Sequence, residues 1–253
     1  MRQSRSLIVA ALACLTTMTA SLALASSPVP VPFGASWDPP AHSLQNIVDA
    51  YLGTAGAINV QTDYIGAHAG DPDPWFWIGS GFPALLVSEV AGNANVNTLG
   101  WYAETGSVPV IDGVGDGVVF SGSQGAGSST VVVMPGSTIR FGFYLDPAPE
   151  SPASHQRFFT NRFLNDLGPQ GAGAVHAPFD GDVQAIVFDV SRWKGPDTWL
   201  VCFEDLDAGN PITPCCTGTD DDYNDMVFQV SALGATPVRA LSFGELKLRF
   251  GGR

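Results

Sequence analysis

Short apolar runs separated by polar turns recur along most of this chain. Over residues 138–145, Ile139, Phe141, Phe143 and Leu145 alternate with Arg140, Gly142 and Tyr144, the period of a strand half-buried on one face. Comparable runs at 58–61, 98–103, 108–111, 117–120, 129–133, 157–160, 183–190, 198–203 and 225–230 predict further strands. The Gly, Asp, Asn and Ser between them supply the turns. Two stretches read as helices. Ser43 precedes Leu44, Ile47, Val48, Tyr51 and Leu52, with Gly53 behind, which is helical spacing with an N-cap and a terminal glycine. Residues 83–91 carry Leu85, Leu86, Val87 and Val90 between Pro83 and Gly92, a second short helix by the same signals. The pattern predicts an all-β, antiparallel, jelly-roll-like β-sandwich with one or two short peripheral helices.

Composition agrees. Only 14% of residues are charged, 45% are hydrophobic, and Gly 29 with Pro 19 favours turns over long helices. The first residues change the picture of where the protein works. Arg2 and Arg5 precede an apolar stretch from Leu7 to Leu24, and Ala23-Leu24-Ala25 offers a small-x-small cleavage site. Residues 1–25 read as a secretory signal peptide, 26–42 as an extended leader, 43–232 as the sandwich domain and 233–253 as a basic tail. The expected location is secreted, extracellular or at the cell surface, with no transmembrane span in the mature chain.

The formal net charge is -13. Basic residues concentrate at the two ends, leaving Arg140, Arg157, Arg162, Arg192 and Lys194 against nearly all the acids. Such a body repels nucleic acid and anionic membranes. Cys202, Cys215 and Cys216 follow the signal peptide, and export permits a disulfide from Cys202 to either neighbour; a thiolate metal site is the rival. His42, His68, His155 and His176 are scattered without ligand spacing. Gly113, Gly115 and Gly117 lie among Asp112 and Asp116, which would repel a phosphate. Trp75 and Trp77 flank Phe76 beside acids, a possible platform for sugar rings or, equally, core side chains.

The densest chemistry is Asp220-Asp221-Asp222-Tyr223-Asn224-Asp225, entering the apolar run Met226–Val230, with Glu204-Asp205 a loop upstream. Crowded carboxylates must be solvated or neutralised, and hard oxygen donors at short spacing suit calcium. If the strands ending at Phe203 and starting at Met226 form a hairpin, the two acidic groups meet at its mouth. In an extended chain Asp220, Asp222 and Asn224 share one side. Glu204, Asp205, Asp220, Asp222, Asn224 and Asp225 are the candidate metal ligands, and Tyr223 is expected to pack. The alternative for Asn224 and Asp225 is an Asx turn onto nearby backbone amides. The missing glycine and distant bidentate Glu exclude an EF-hand.

Phe203-Glu204-Asp205-Leu206, followed by Asp220-x-Asp222-Tyr223-Asn224-Asp225-x-Val227-Phe228, resembles the signature of a bacterial exported-domain family, domain of unknown function 4114. Asp73–Trp77, Leu99–Tyr102 and Phe141–Leu145 follow its pattern more loosely. The resemblance implies a β-rich extracellular module with a calcium site and no established enzymatic activity. The long loop 207–219 with Cys215-Cys216, and a tail without a hydrophobic sorting span, depart from that family. The expected function is a secreted, calcium-binding β-sandwich that contacts a cell surface, matrix or glycan without catalysis. A calcium-assisted glycan hydrolase and a structural surface or matrix protein are the alternatives.

Overall fold

The computed structural model describes residues 40–67, 76–78, 81–91, 94–104, 109–134, 139–147, 157–165, 183–205 and 222–231. Residues 1–25, expected to be a signal peptide, most of the expected leader and all of residues 233–253 lie outside them. Ten strands fall among these residues: β1 (Phe76–Ile78), β2 (Gly81–Glu89), β3 (Thr98–Ala103), β4 (Asp116–Phe120), β5 (Ser129–Val133), β6 (Ile139–Asp146), β7 (Phe158–Phe159), β8 (Ala185–Asp189), β9 (Thr198–Phe203) and β10 (Met226–Ser231). One sheet runs β1-β6-β3-β4, with β7 also on β6; the other runs β5-β2-β10-β9-β8. Every pairing is antiparallel, and the protein is an all-β sandwich.

The second sheet is apolar on both faces. Trp199, Val201 and Phe203 of β9 point into the sandwich, while Leu200 and Cys202 face outward into a second cluster. That outer face is covered by α1 (Leu44–Leu52), which buries Leu44, Val48 and Leu52. The Ser43 side chain caps α1, and Gly53 ends it in the left-handed region at φ 71°. A strand covered on both sides has no polar face to show, so β9 reads as a continuous apolar run. Inside the sandwich Phe143 meets Phe76 and Phe228, each at 5.0 Å between ring centroids, and Phe82 stacks on Phe141 at 5.3 Å. Full burial of each such ring contributes roughly 1.5–3 kcal/mol.

On the outer face of the first sheet Gly100 pairs with Tyr144 and Tyr102 with Gly142. Each tyrosine ring lies over the opposite glycine, and a Cβ at either glycine would collide with it. Tyr102, Tyr144, Phe159 and Leu164 form a third small cluster there, beside α2 (Arg162–Asn165).

Three expectations from the pattern fail. Residues 83–91 are not a helix; most of them belong to β2, which sends Phe82, Ala84 and Leu86 inward. A short apolar run fits either element, and here pairing on both sides decides. The proline is tolerated because Pro83 pairs only with β5, the β10 ladder beginning one residue later at Ala84. Residues 58–61 form turns instead of a strand, with Ile58 and Val60 buried in the α1 layer. Residues 109–111 are not in a strand, and 108 lies outside the described residues. A further short helix, α3 (Ser191–Lys194), links β8 to β9.

Candidate metal centre

β9 and β10 pair along their length, Met226 opposite Phe203. That register brings the residues after β9 and before β10 to one end of the sandwich. Carboxylate oxygens of Glu204, Asp205 and Asp225 all lie within 4.8 Å of one another. Glu204 is 1% exposed, Asp205 4% and Asp225 9%. The Asp205 N–H donates to Asp225 Oδ2 at 2.7 Å, and the Glu204 N–H donates to the Gln184 carbonyl at 3.1 Å. Burial, then the charges of Glu204 and Asp205, hold the Asp225 carboxyl well above its usual range, opposed by the Asp205 N–H.

Tyr223 fixes the approach to β10. Its side chain is fully buried and its hydroxyl donates to the Val183 carbonyl at 2.8 Å. Its backbone sits at φ 57°, the left-handed region that a bulky residue adopts only when its surroundings demand it. The Tyr223 N–H faces Glu204 Oε2 at 3.5 Å.

The left-handed turn at Tyr223 interrupts the extended geometry expected between Asp222 and Asn224. Asp222 accepts from the Asn224 backbone N–H at 3.2 Å and from Asn224 Nδ2 at 2.6 Å, an Asx turn closed on itself. Asn224 Nδ2 also donates to the His42 carbonyl at 3.0 Å, tying the loop to the start of the α1 layer. Asp220 lies outside the described residues, as do Trp75, Cys215 and Cys216. Trp77 belongs to β1, but its side chain is outside the description. Cys202 is a free thiol, buried on the outward face of β9. That location follows from strand alternation, and both partners of the expected bridge, Cys215 and Cys216, lie outside the described residues.

Two residues that sequence reasoning missed stand at the same end. Asn97, fully buried just before β3, donates from Nδ2 to Asp205 Oδ2 at 3.2 Å. Its Oδ1 is buried without a hydrogen-bond partner. Glu89 closes β2, opposite Met226. Its carboxyl is pushed up to about 7 by burial and then by the charge of Asp205, and its Oε1 is also buried without a partner. No local signal marks either one: Glu89 sat in an expected helix and Asn97 in an unremarkable turn. Pairing of β2 with β10 brings Glu89 here, and the crossing of the chain to the other sheet brings Asn97.

Comparison with protein-family models, with curated proteins and with solved structures finds no match in any of the three. The kinship suggested by the Phe203–Leu206 and Asp220–Phe228 motifs therefore rests on those residues. Among the described residues no helix is long and apolar enough to cross a membrane.

Proposed function

We propose that this protein is an exported, calcium-binding β-sandwich module that works by contacting a cell surface, matrix or glycan, and that its acidic end holds the ion. One observation carries the reading: Glu204, Asp205 and Asp225 are buried with oxygens within 4.8 Å of one another. Three like charges cannot share that space ionised without a counter-charge, so near neutral pH they hold either protons or a cation. The donor chemistry fits a hard ion. All three offer oxygen, and the buried Asn97 Oδ1 beside them has no hydrogen-bond partner. Calcium takes about 6–8 oxygens, the remainder coming from backbone or water.

Burial supports holding over hydrolysis. Glycoside hydrolysis uses two carboxyls about 5–9.5 Å apart across a cleft that admits the sugar. These three are closer together and at most 9% exposed. The export signal and the motif resemblance support an extracellular setting, where calcium near 1 mM makes a weak site useful. A dissociation constant of ~0.1 mM then adds about 1.4 kcal/mol to stability, enough to order a loop without switching the fold. Thermal melts of the full chain in 1 mM calcium and in chelator test this. The expected rise with calcium is about 3–5 °C. Superimposable melts, with no calcium binding in calorimetry, contradict it. A glycan array probed with and without calcium then tests the partner class.

A further inference from the structure

We infer that the ion is gripped by five side chains from four strand ends, with the Asn97 amide oxygen and Glu89 completing the set begun by Glu204, Asp205 and Asp225. This rests on the calcium reading above and deepens it. Asn97 opens β3 in one sheet; Glu89, Glu204, Asp205 and Asp225 flank β2, β9 and β10 in the other. Glu89 and Asn97 are also the two ends of the connection that carries the chain from the second sheet to the first. An ion held by all five joins the sheets at that end, where the β9–β10 clasp alone would join two neighbouring strands.

Three observations support the assignment. The Asn97 side chain is fully buried and already touches Asp205, yet its oxygen is unmatched. A buried acceptor without a partner costs on the order of 1–3 kcal/mol, and a cation between it and the carboxylates would satisfy it. Glu89 ends β2 opposite Met226, the residue after Asp225, and one oxygen of its carboxyl is equally unmatched. The ends are mutually braced without an ion: the Val90 N–H donates to the Asp225 carbonyl at 3.2 Å, fixing β2 beside the cluster. Such a set, four carboxylates and one amide with no nitrogen or sulfur donor, matches calcium's preference and its tolerance of irregular geometry.

Calorimetric titration of calcium into the full chain, with melts in chelator, tests the five-part set. The variants are Asn97→Ala, Asn97→Asp and Glu89→Gln beside wild type. Even outer partners of metal sites carry roughly 10–100-fold in affinity, so losing a direct ligand at Asn97→Ala or Glu89→Gln is expected to weaken binding at least about tenfold. Asn97→Asp separates ligation from packing. It loses the donor to Asp205 and adds a fifth acid to the cluster, so its melt in chelator falls below wild type. As a ligand it keeps an oxygen and gains charge, so its calcium affinity equals or exceeds wild type. If Asn97 serves only as a donor to Asp205, Asn97→Asp loses stability and affinity together, which overturns the inference. Wild-type affinity in Asn97→Ala or Glu89→Gln also overturns it. A wild type that binds no calcium is a different failure, that of the calcium reading itself.

Discussion

Two aspartate-rich turns of this molecule use the same side chain in opposite ways. At residues 112–116 the loop is mostly exposed, and its carboxylates answer backbone amides. Asp116 accepts from the N–H groups of Asp112 and Gly113, at 3.1 and 3.0 Å, and Asp112 accepts from Val114 at 3.0 Å. Gly113 and Gly115 take positive φ to bring those amides round. At the entrance to β10, Asp222 behaves likewise toward Asn224, but Asp225 is turned into a buried space that Glu204 and Asp205 share. What separates the two is burial set by a neighbour: Tyr223 anchors the second turn in the core, and nothing comparable holds the first. Aspartate density alone therefore does not make a cation site; carboxylates driven together out of water do.

The largest test of that contrast removes the anchor. Tyr223→Ala should cost about 3–5 kcal/mol in chemical denaturation and abolish any calcium stabilisation. A variant that loses stability but keeps its full calcium shift would show that the turn forms the site unaided.

Asp225→Asn comes next. In calcium it should forfeit the shift of about 1.4 kcal/mol; in chelator at pH 7 it should melt at or above wild type, because one of three crowded acids is gone. The pH dependence follows the same logic. Glu89 has an ordinary value of 4.5 and a folded value of about 7, and Asp225 is likewise raised. Below 4.5 the folded and unfolded Glu89 are both protonated and its contribution is whole. As pH rises the unfolded chain releases the proton first, so stability falls through about 7. Melts of the calcium-free protein should therefore drop as pH rises from 4.5 to about 7. Saturating calcium should flatten or reverse the drop, since it holds the carboxylates ionised.

The exposed turn should respond weakly and without regard to calcium. Asp116→Ala removes acceptors from two backbone amides and should cost about 1 kcal/mol, equally in calcium and chelator. Val114→Ala, at a side chain 81% exposed, should fall within about 0.5 kcal/mol of wild type.

Strand periodicity made most of the sandwich legible. The runs at 129–133 and 198–203 coincide with β5 and β9, and the alternation around Phe141 and Phe143 is the inner face of β6. Residues 83–91 were misread because an unbroken apolar run carries no period, and pairing with β5 and β10 is information held elsewhere in the chain. The site divides the same way. Glu204, Asp205 and Asp225 were visible because one hairpin brings them together. The turn that joins Asp222 to Asn224 was not legible because the left-handed backbone at Tyr223 is imposed by core packing around its ring. Glu89 and Asn97 were invisible because Glu89 meets the others only when β2 pairs with β10, and Asn97 only when the two sheets stack.

The central claim, that buried acids and not exposed ones bind the ion, is tested most directly by calcium titration calorimetry on wild type, Asp225→Asn and Asp116→Asn at pH 7.5 in one session. The account predicts saturable binding near ~0.1 mM for wild type and Asp116→Asn, and none over that range for Asp225→Asn. Binding that survives Asp225→Asn and disappears in Asp116→Asn would place the ion in the exposed turn and contradict the account.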